Sequence, residues 1–275
     1  MATQHSNIAD TWTPADFGEL LNKAVQAKST AFKATTLHNT DKVKVQFPLW
    51  NSDPAVSWLA ELEEIVPTDG ANGDVICVPS KVGGISTVSN EAAQDTDPAI
   101  ADQIASGIAN QIATSVDVAF LGDGSGNAKI PDGLLSTTYQ TVDTGASVTN
   151  LDPFIAAIFK AKSVGANIDR WVMNPTIAES LSKIKKQTGS NETLLQLVAD
   201  GIQVAGIPVL IDPNVDAATV AWGIDSTRTK TVLRKGTEVK RFEIPRQDGQ
   251  DIRGIARVGF AFLHPQANVR LYDAA

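Results

Sequence analysis

The sequence predicts a mixed α+β fold, and three observations support that class. The 275-residue chain is 43% apolar and 20% charged, so it has enough apolar side chain to bury a sizeable core. Isoleucine or valine recurs at every fourth position from Ile100 to Val116, which is the period of a long helix. Short alternating runs separated by Gly, Pro, Asn and Asp predict strands on both sides of that helix. The length allows one large domain or two modest ones.

Composition excludes several classes of protein. The single cysteine, Cys77, excludes a disulfide framework, and three histidines make a Cys/His zinc site a poor fit. No stretch approaches the roughly 18 consecutive apolar residues of a membrane span. The first thirty residues lack a basic start followed by an apolar run, so no secretory signal is predicted. These features indicate a soluble protein of a reducing compartment.

Charge is distributed unevenly along the chain, whose formal net charge is −8. Residues 46–135 hold thirteen Asp or Glu against only Lys81 and Lys129, whereas residues 228–257 hold nine basic and four acidic residues. A solvated surface normally mixes the two signs. We therefore expect the acidic and basic segments to form mating surfaces, within one subunit or between copies. No basic tail that would bind nucleic acid phosphates is present.

The first elements predict an arm and a hairpin. Residues 1–42 are polar and mixed, with a weak helical stretch at 16–27, and are interpreted as an arm. Strict alternation begins at Val43, and a second strand-like run, which is acidic, follows at residues 58–66. A turn cluster at residues 69–74 separates this run from a further strand at 75–82, and the three segments predict a hairpin. Because such a thin acidic hairpin is marginal alone in water, it requires a partner surface.

The best-defined element is a long helix. Asp97 is a suitable N-cap, and Pro98 occupies the first helical position, where its missing N–H is not needed. Gly122 ends the helix after Leu121. At about 1.5 Å per residue, the helix is roughly 35 Å long, and its apolar stripe suits a helix lying across a sheet.

The second half of the chain predicts alternating helices and strands. Asp152-Pro153 and Asn174-Pro175 repeat the N-cap and proline pattern, and these helices are expected to end near Gly165 and Gly189. A shorter helix is predicted at residues 192–199. Strands are predicted at residues 207–211, 219–224, 229–233, 239–244 and 252–263.

None of the motifs in the sequence has the residues and spacing of a catalytic site. Residues 122–126 resemble a glycine-rich phosphate loop but follow a helix, whereas such loops follow a strand and open a helix. A calcium loop beginning at Asp123 would need a glutamate at its twelfth position, where Leu134 stands. His264 and Cys77 are interpreted as structural residues. Glu61, Glu63 and Glu64 lie on a thin hairpin, where a solvated or interface role is expected rather than acid–base catalysis.

The order of these elements resembles the major capsid proteins of tailed bacteriophages, which have the Hong Kong 97 type fold that encapsulins share. Local motifs carry the resemblance in the same order over roughly residues 45–260. They are Trp58-Leu59-Ala60-Glu61; Lys81 followed by Ile85-Ser86-Thr87-Val88-Ser89-Asn90-Glu91 and Asp95; Asp117-Val118-Ala119-Phe120-Leu121-Gly122-Asp123-Gly124 with Pro131-Asp132-Gly133-Leu134-Leu135; Trp171-Val172-Met173-Asn174-Pro175; and Ala205-Gly206-Ile207-Pro208-Val209.

The resemblance implies a non-enzymatic shell subunit without cofactors. By analogy, residues 1–42 form an N-terminal arm, 43–84 an E-loop hairpin, 85–131 and 223–261 a P-domain with the long spine helix, and 132–222 and 262–275 an A-domain. Hexamers and pentamers would close into an icosahedral head that encloses double-stranded DNA without reading its sequence. Portal, scaffolding and decoration proteins are the implied partners. The implied location is the virion, after assembly in the host cytoplasm.

Charge contrast and exposed turn composition predict the contacts between subunits. The predicted contact residues are Trp58, Glu61, Glu63, Glu64, Asp69, Asp74, Lys81, Arg241, Arg246 and Arg253. Some family members are cross-linked through an E-loop lysine, but the predicted hairpin tip has none, so cross-linking is not expected. Two alternatives stay open: an encapsulin shell, and a two-domain α/β enzyme that binds a nucleotide at residues 122–126.

Overall fold

The strands of the protein form three sheets in the computed structural model, which describes residues 25–62, 64–91, 100–124, 127–145, 148–185, 195–198, 201–244 and 247–274. The α-helices are α1 (Thr30–Ala34), α2 (Ile100–Leu121), α3 (Asp152–Ser163) and α4 (Pro175–Ser182). The strands are β1 (Thr36–Asn39), β2 (Val45–Ser52), β3 (Ala71–Cys77), β4 (Ser80–Ser89), β5 (Gln140–Asp143), β6 (Arg170–Met173), β7 (Gln196–Val198), β8 (Gly201–Val204), β9 (Ile207–Ile211), β10 (Thr219–Ile224), β11 (Thr229–Glu243), β12 (Gly249–Phe262) and β13 (Val269–Tyr272). Short 3₁₀ turns lie at Leu134–Ser136 and Pro265–Ala267.

Helix α2 lies across a four-stranded sheet with the order β1-β11-β12-β4. The isoleucine stripe of α2 meets the inner face of β12, where Ile112 and Ile252 are almost fully buried. Gly254 makes this close approach possible, because a Cβ there would lie 2.5 Å from Cγ2 of Ile108. A segment of α2 is long and apolar enough to cross a membrane by composition alone, but half of it is buried in the protein. The helix is therefore explained as a core helix.

The end of α2 is packed by a glycine further along the chain. A Cβ on Gly133 would lie 2.2 Å from the carbonyl oxygen of Ala119 and 2.3 Å from that of Gly122. Only a residue without a side chain lets the backbone pass so close to the last carbonyls of the helix. This close approach explains why a glycine stands at position 133 in the Pro-Asp-Gly-Leu-Leu segment after the helix.

A seven-stranded sheet with the order β5-β13-β10-β6-β9-β8-β7 is the second large sheet. Helix α3 packs on β5 and β13, and its fully buried Phe154 meets the ring of Trp171 edge-on at 5.1 Å. Trp222 on β10 belongs to the same buried cluster as Phe120 of α2, so the core continues from one sheet to the other. The two large sheets are therefore joined by shared packing.

A buried carboxylate fastens the start of the described chain to α2. Asp117 accepts hydrogen bonds from the hydroxyl of Ser29 and, at 2.9 Å, from the backbone N–H of Ala31 at the start of α1. Burial raises the pKa of the Asp117 carboxyl above its ordinary value, although these hydrogen bonds act in the opposite direction. After α1, strand β1 pairs in parallel with β11, with Thr36 opposite Lys230.

The hairpin differs from the prediction in where the chain reverses. Strand β2 pairs with β3, with Val45 opposite Cys77 and Ser52 opposite Ala71, so the reversal is the loop at residues 53–70. The predicted turn at residues 69–74 is wrong, because residues 71–74 are in strand β3. The predicted strand-like run at 58–66 is wrong for the described residues 58–62 and 64–66, which belong to the loop and to none of the sheets. The predicted strand at 75–82 is split, because β4 joins the other sheet.

Other predicted elements need smaller corrections. The predicted helix at 192–199 is wrong for residues 196–198, which pair with β8; residues 192–194 and 199 lie outside the described part. Helix α4 ends at Ser182, before the predicted end near Gly189, a residue that lies outside the described part of the chain. Asp152 lies in the first turn of α3 and Leu151 takes the N-cap position, whereas Asn174 caps α4 as predicted by accepting from Thr176 N–H. The predicted strands at 229–233 and 239–244 are parts of one strand, β11.

The predicted start of the long helix and most of the arm cannot be compared with the structure. Asp97 and Pro98 lie outside the described residues, as do residues 1–24. The predicted end of the helix at Leu121 is confirmed. The predicted domain limits stay a proposal.

Candidate functional site

The β2–β3 hairpin is anchored to the body of the protein at its base. Val45 and Cys77 pack against Val232 and Ala261 of the four-stranded sheet. The ammonium group of Lys230 lies 5.8 Å from the centre of the Phe47 ring, an arrangement that favours a cation–π contact. Burial raises the pKa of the Cys77 thiol to about 11, so the thiol is neutral at ordinary pH. These contacts hold the base of the hairpin against the four-stranded sheet.

The loop at residues 53–70 exposes an unusual amount of apolar surface. Val56, Trp58 and Leu62 are 97%, 103% and 101% exposed, which means that their side chains contact almost nothing in their own subunit. Ile65 and Val66 are about three-quarters exposed. Hydrogen bonds shape the loop at its neck, where the indole N–H of Trp50 donates to Asp53 at 2.6 Å. An apolar patch of this kind marks an interaction surface.

Acidic side chains share the loop with these apolar residues. The loop contains five Asp or Glu and no Lys or Arg. Glu61, Glu64 and Asp69 are exposed, whereas Glu63 lies outside the described residues. Asp74 is on β3, where it accepts a hydrogen bond at 2.8 Å from the side-chain amide of Gln46. The loop is therefore apolar and negative at once.

Three of the predicted basic contact residues, Lys81, Arg241 and Arg253, lie on the four-stranded sheet. The guanidinium of Arg241 forms an ion pair with Asp102 of α2 in the same subunit, and both side chains are at least half exposed. Arg253 stacks over the ring of Phe242 with its guanidinium carbon 4.5 Å from the ring centre. Lys81 is opposite Arg257 in the β4–β12 register. Arg246 lies outside the described residues.

Within one subunit the structure brings α2 and β4 of the acidic segment against the basic strands, but not the carboxylates of the loop at residues 53–70. Among the described residues, no ion pair joins a carboxylate of the loop to a basic residue of β4, β11 or β12. Arg241 does meet a partner from the acidic segment, but that partner is on α2. The exposed carboxylates Glu61, Glu64 and Asp69 are thus available to contact another molecule.

The apolar character of the loop was not predicted from the sequence. Val56, Leu62, Ile65 and Val66 were not among the predicted contact residues, although they are among the most exposed large apolar residues of the described chain. The signal that could have found them is an apolar run between Pro54 and Pro67 without the strict alternation of a half-buried strand.

In the glycine-rich stretch after α2, the described residue Gly122 helps to pack the end of the helix. Gly122 follows the helix directly, and its carbonyl oxygen accepts a hydrogen bond from Leu135 N–H at 3.1 Å. Across the described part of the chain, no group of three His, Cys, Asp or Glu side chains is arranged to hold a metal ion. The helix-before-loop order expected from the sequence is confirmed.

Comparison with known proteins shows what the chain is related to. The sequence pattern of the phage capsid family matches residues 11–272, which is nearly the whole chain. The chain belongs to the phage capsid family. No curated protein matches. The prediction that the chain is a major capsid subunit of a tailed phage is confirmed.

Solved structures show the same fold in distant relatives. A chain from Mycobacterium phage Bobi has a TM-score of 0.74 and 16% identity, covering 90% of this capsid protein and 91% of that chain. A chain from Mycobacterium phage Adephagia has a TM-score of 0.75 and 14% identity, with 90% coverage of each chain. The capsid of an empty GTA particle gives a TM-score of 0.75 and 20% identity, again with 90% coverage of each chain. The predicted α+β class and Hong Kong 97 type fold are confirmed.

Proposed function

We propose that copies of this capsid protein close into an icosahedral head that encloses double-stranded DNA, with the loop of each copy covering a neighbouring copy. The observation that carries the proposal is the loop itself, whose Val56, Trp58 and Leu62 are fully exposed in a single subunit. Leaving several large apolar side chains in water is unfavourable by about 1.5–3 kcal/mol each relative to burial. A neighbouring copy in a shell is the partner that removes them from water.

Charge supports the same arrangement. Among the described residues, the loop carboxylates form no ion pair with the basic residues of β4, β11 or β12 in their own subunit, so these residues of another copy can serve as their partners. The proposed contact set is Trp58, Glu61, Glu63, Glu64, Asp69 and Asp74 on one copy, with Lys81, Arg241, Arg246 and Arg253 on the next. Individual exposed ion pairs contribute only about 0–1 kcal/mol, but repetition over a shell favours one register.

The proposal extends to the partners of a phage head. Hexamers and pentamers of the chain would assemble in the host cytoplasm with portal and scaffolding proteins. The chain is acidic overall, with a net charge of −8 and a pI of about 4.9, which suits DNA that is packed by a motor better than DNA condensed by charge. An encapsulin shell stays the second candidate, and the contents of purified particles distinguish the two: DNA for a phage head, a cargo protein for an encapsulin.

Charge reversal in the loop tests the proposed interface. Glu61→Lys and Glu64→Lys should lower the yield of particles seen by sedimentation and electron microscopy, because each places a cation against basic strands. The subunit should keep its melting temperature, since both side chains are exposed. Glu179→Lys is the matched control: it makes the same charge change on α4, where the carboxylate is 65% exposed. Unchanged particle yield from both loop variants would contradict the proposed contacts.

A further inference from the structure

The chain contains one Asn-Gly pair, Asn72-Gly73, and the structure leaves it without the turn that such a pair usually forms. Both residues are in strand β3, where Asn72 is paired with Trp50. A Cβ at Gly73 would lie 2.5 Å from Nδ2 of Asn51, so packing against this side chain accounts for the glycine. Packing does not account for the asparagine before it, because the side chain of Asn72 is exposed.

The pair lies at the weakly paired end of the β2–β3 hairpin. β2 and β3 form a sheet of only two strands, and such a sheet is marginally stable in water. The ladder is irregular beside Asn72, because the register shifts between Trp50 and Ser52. Cys77, which anchors β3 to the body of the protein, is at the opposite end of the strand. This end of the hairpin therefore opens locally at a low cost in free energy, and opening releases the main chain at Gly73 from the ladder.

We propose that Asn72 is a site of spontaneous modification, with the main chain as the nucleophile. The backbone nitrogen of Gly73 loses its proton to water and attacks Cγ of Asn72; a C–N bond forms, the bond from Cγ to Nδ2 breaks, and ammonia leaves. Water then opens the cyclic imide at either of its carbonyl carbons, which leaves aspartate or isoaspartate at position 72. Gly73 favours the reaction, because it has no side chain to hinder the nitrogen and it restricts φ and ψ least.

The products change the strand that carries the loop at residues 53–70. Both products place a carboxylate opposite Trp50, whose side chain is 60% exposed. Isoaspartate also adds the former side-chain methylene to the main chain of β3. Because strand pairing depends on a constant repeat, the residues beyond position 72 then lose their register with β2. The effect on assembly rests on the proposed shell function: a displaced loop should contact a neighbouring copy less well.

Peptide mass spectrometry of the stored subunit tests the modification. The purified subunit is kept at mildly alkaline pH, which promotes loss of the proton from the nitrogen of Gly73, and is sampled over time. Asn51 is the internal control, since it is also exposed on the same hairpin but precedes serine. Asn72 should be converted about tenfold faster than Asn51 or more, with isoaspartate among the products. Equal rates at the two positions, or conversion of Asn72 only in urea, would overturn the proposal.

Variants separate the modification from its effect on assembly. Asn72→Gln keeps a carboxamide but would have to close a larger ring, whereas Gly73→Ala would also displace Asn51. Asn51→Gln is the matched control on β2. After equal storage, particle yield should fall severalfold for the unsubstituted protein and for Asn51→Gln, while Asn72→Gln keeps the yield of fresh protein. Unchanged yield from protein converted at position 72 would overturn the effect on assembly, whereas fresh protein that forms no particles would contradict the shell function and leave the mass spectrometric result intact.

Discussion

Asp117 shows how one side chain fixes a long segment. Its carboxylate joins two residues that are 86 and 88 positions earlier in the chain, and it lies 6% exposed inside the protein. Because the hydroxyl of Ser29 and the N–H of Ala31 are buried with it, both donors depend on this acceptor. The two hydrogen bonds to Asp117 therefore attach the start of α1 to α2.

Replacing Asp117 by alanine should destabilise the subunit by about 2–4 kcal/mol, because the two donors lose their acceptor in a buried place. Urea unfolding of the purified subunit measures the change in free energy. Asp102→Ala is the control on the same helix, where a 65% exposed carboxylate pairs with Arg241 and the expected loss is about 1 kcal/mol or less. Equal losses in the two variants would contradict the role of Asp117.

The raised pKa of Asp117 also predicts a pH dependence. A carboxyl whose pKa is higher in the folded than in the unfolded state favours folding below its ordinary pKa, and this contribution is lost as the pH rises through the folded value. Asp117→Asn keeps an acceptor oxygen without the charge. The stability of Asp117→Asn relative to the unsubstituted protein should therefore rise from about pH 4 towards neutrality. Urea unfolding at several pH values measures this difference, and a constant or falling difference would contradict it.

At the scale of elements, the contact of α2 with β12 depends on one glycine. Gly254 has Ile108 and Ile112 directly over it, whereas at its cross-strand partner Gly84 a Cβ would have no other atom within 4 Å. The two glycines lie side by side in one register but differ in the space above them. Comparing alanine variants at the two positions therefore distinguishes the need for space above Gly254 from the general preference of strands for residues other than glycine.

Gly254→Ala should lower the free energy of unfolding by about 1–3 kcal/mol, because the added methyl group pushes against a β-branched side chain. Gly84→Ala should leave it unchanged or raise it by up to about 1 kcal/mol, since alanine reduces the entropy of the unfolded chain. Chemical denaturation of both variants measures the difference. A loss as large in Gly84→Ala as in Gly254→Ala would contradict this account.

The elements that the sequence predicted correctly are those whose pattern is local. The fourfold recurrence of apolar residues up to Val116 and the stop at Leu121 depend only on neighbouring residues, so the long helix was predicted. The hairpin turn was misplaced because Asn72 and Gly73 are typical turn residues, and only the pairing of Trp50 with Asn72 puts them in a strand. Strand pairing is set by distant parts of the chain, which local composition does not encode.

Only the features of the candidate site that depend on local composition could be predicted. Charge is additive along a sequence, so the acidic loop and the basic strands could be recognised. The ion pair between Arg241 and Asp102 joins residues 139 positions apart, and it depends on how α2 crosses the sheet. The groove between β4, the second half of α2 and the turn at residues 122–131 likewise exists only once these elements are packed together.

At the scale of the whole molecule, the subunit combines a continuous core with a loop that adds nothing to it. The core links both large sheets through Trp222 and Phe120, whereas residues 56, 58 and 62 in the loop are fully exposed. We therefore expect folding and assembly to depend on different residues. The subunit should be stable on its own and should lose apolar exposed surface only in the shell.

Replacing residues 53–70 by Asn-Gly separates the two properties. A type I′ turn between Ser52 and Ala71 fits the register of β2 and β3, so the variant should unfold within about 1 kcal/mol of the intact subunit. It should form no particles, because the loop is the proposed contact with the next copy. Sedimentation and denaturant unfolding measure the two outcomes. Particles of normal size from this variant would contradict a role of the loop in assembly.

The position of the only cysteine has a practical consequence for labelling. The Cys77 thiol is 3% exposed and stays protonated well above neutral pH, so maleimides and similar reagents do not reach it in the folded protein. A second cysteine introduced at an exposed position such as Phe159 would then be the single reactive thiol of each subunit. Fluorophores or peptides could be conjugated there at one defined site per copy, without first removing the native sulfhydryl.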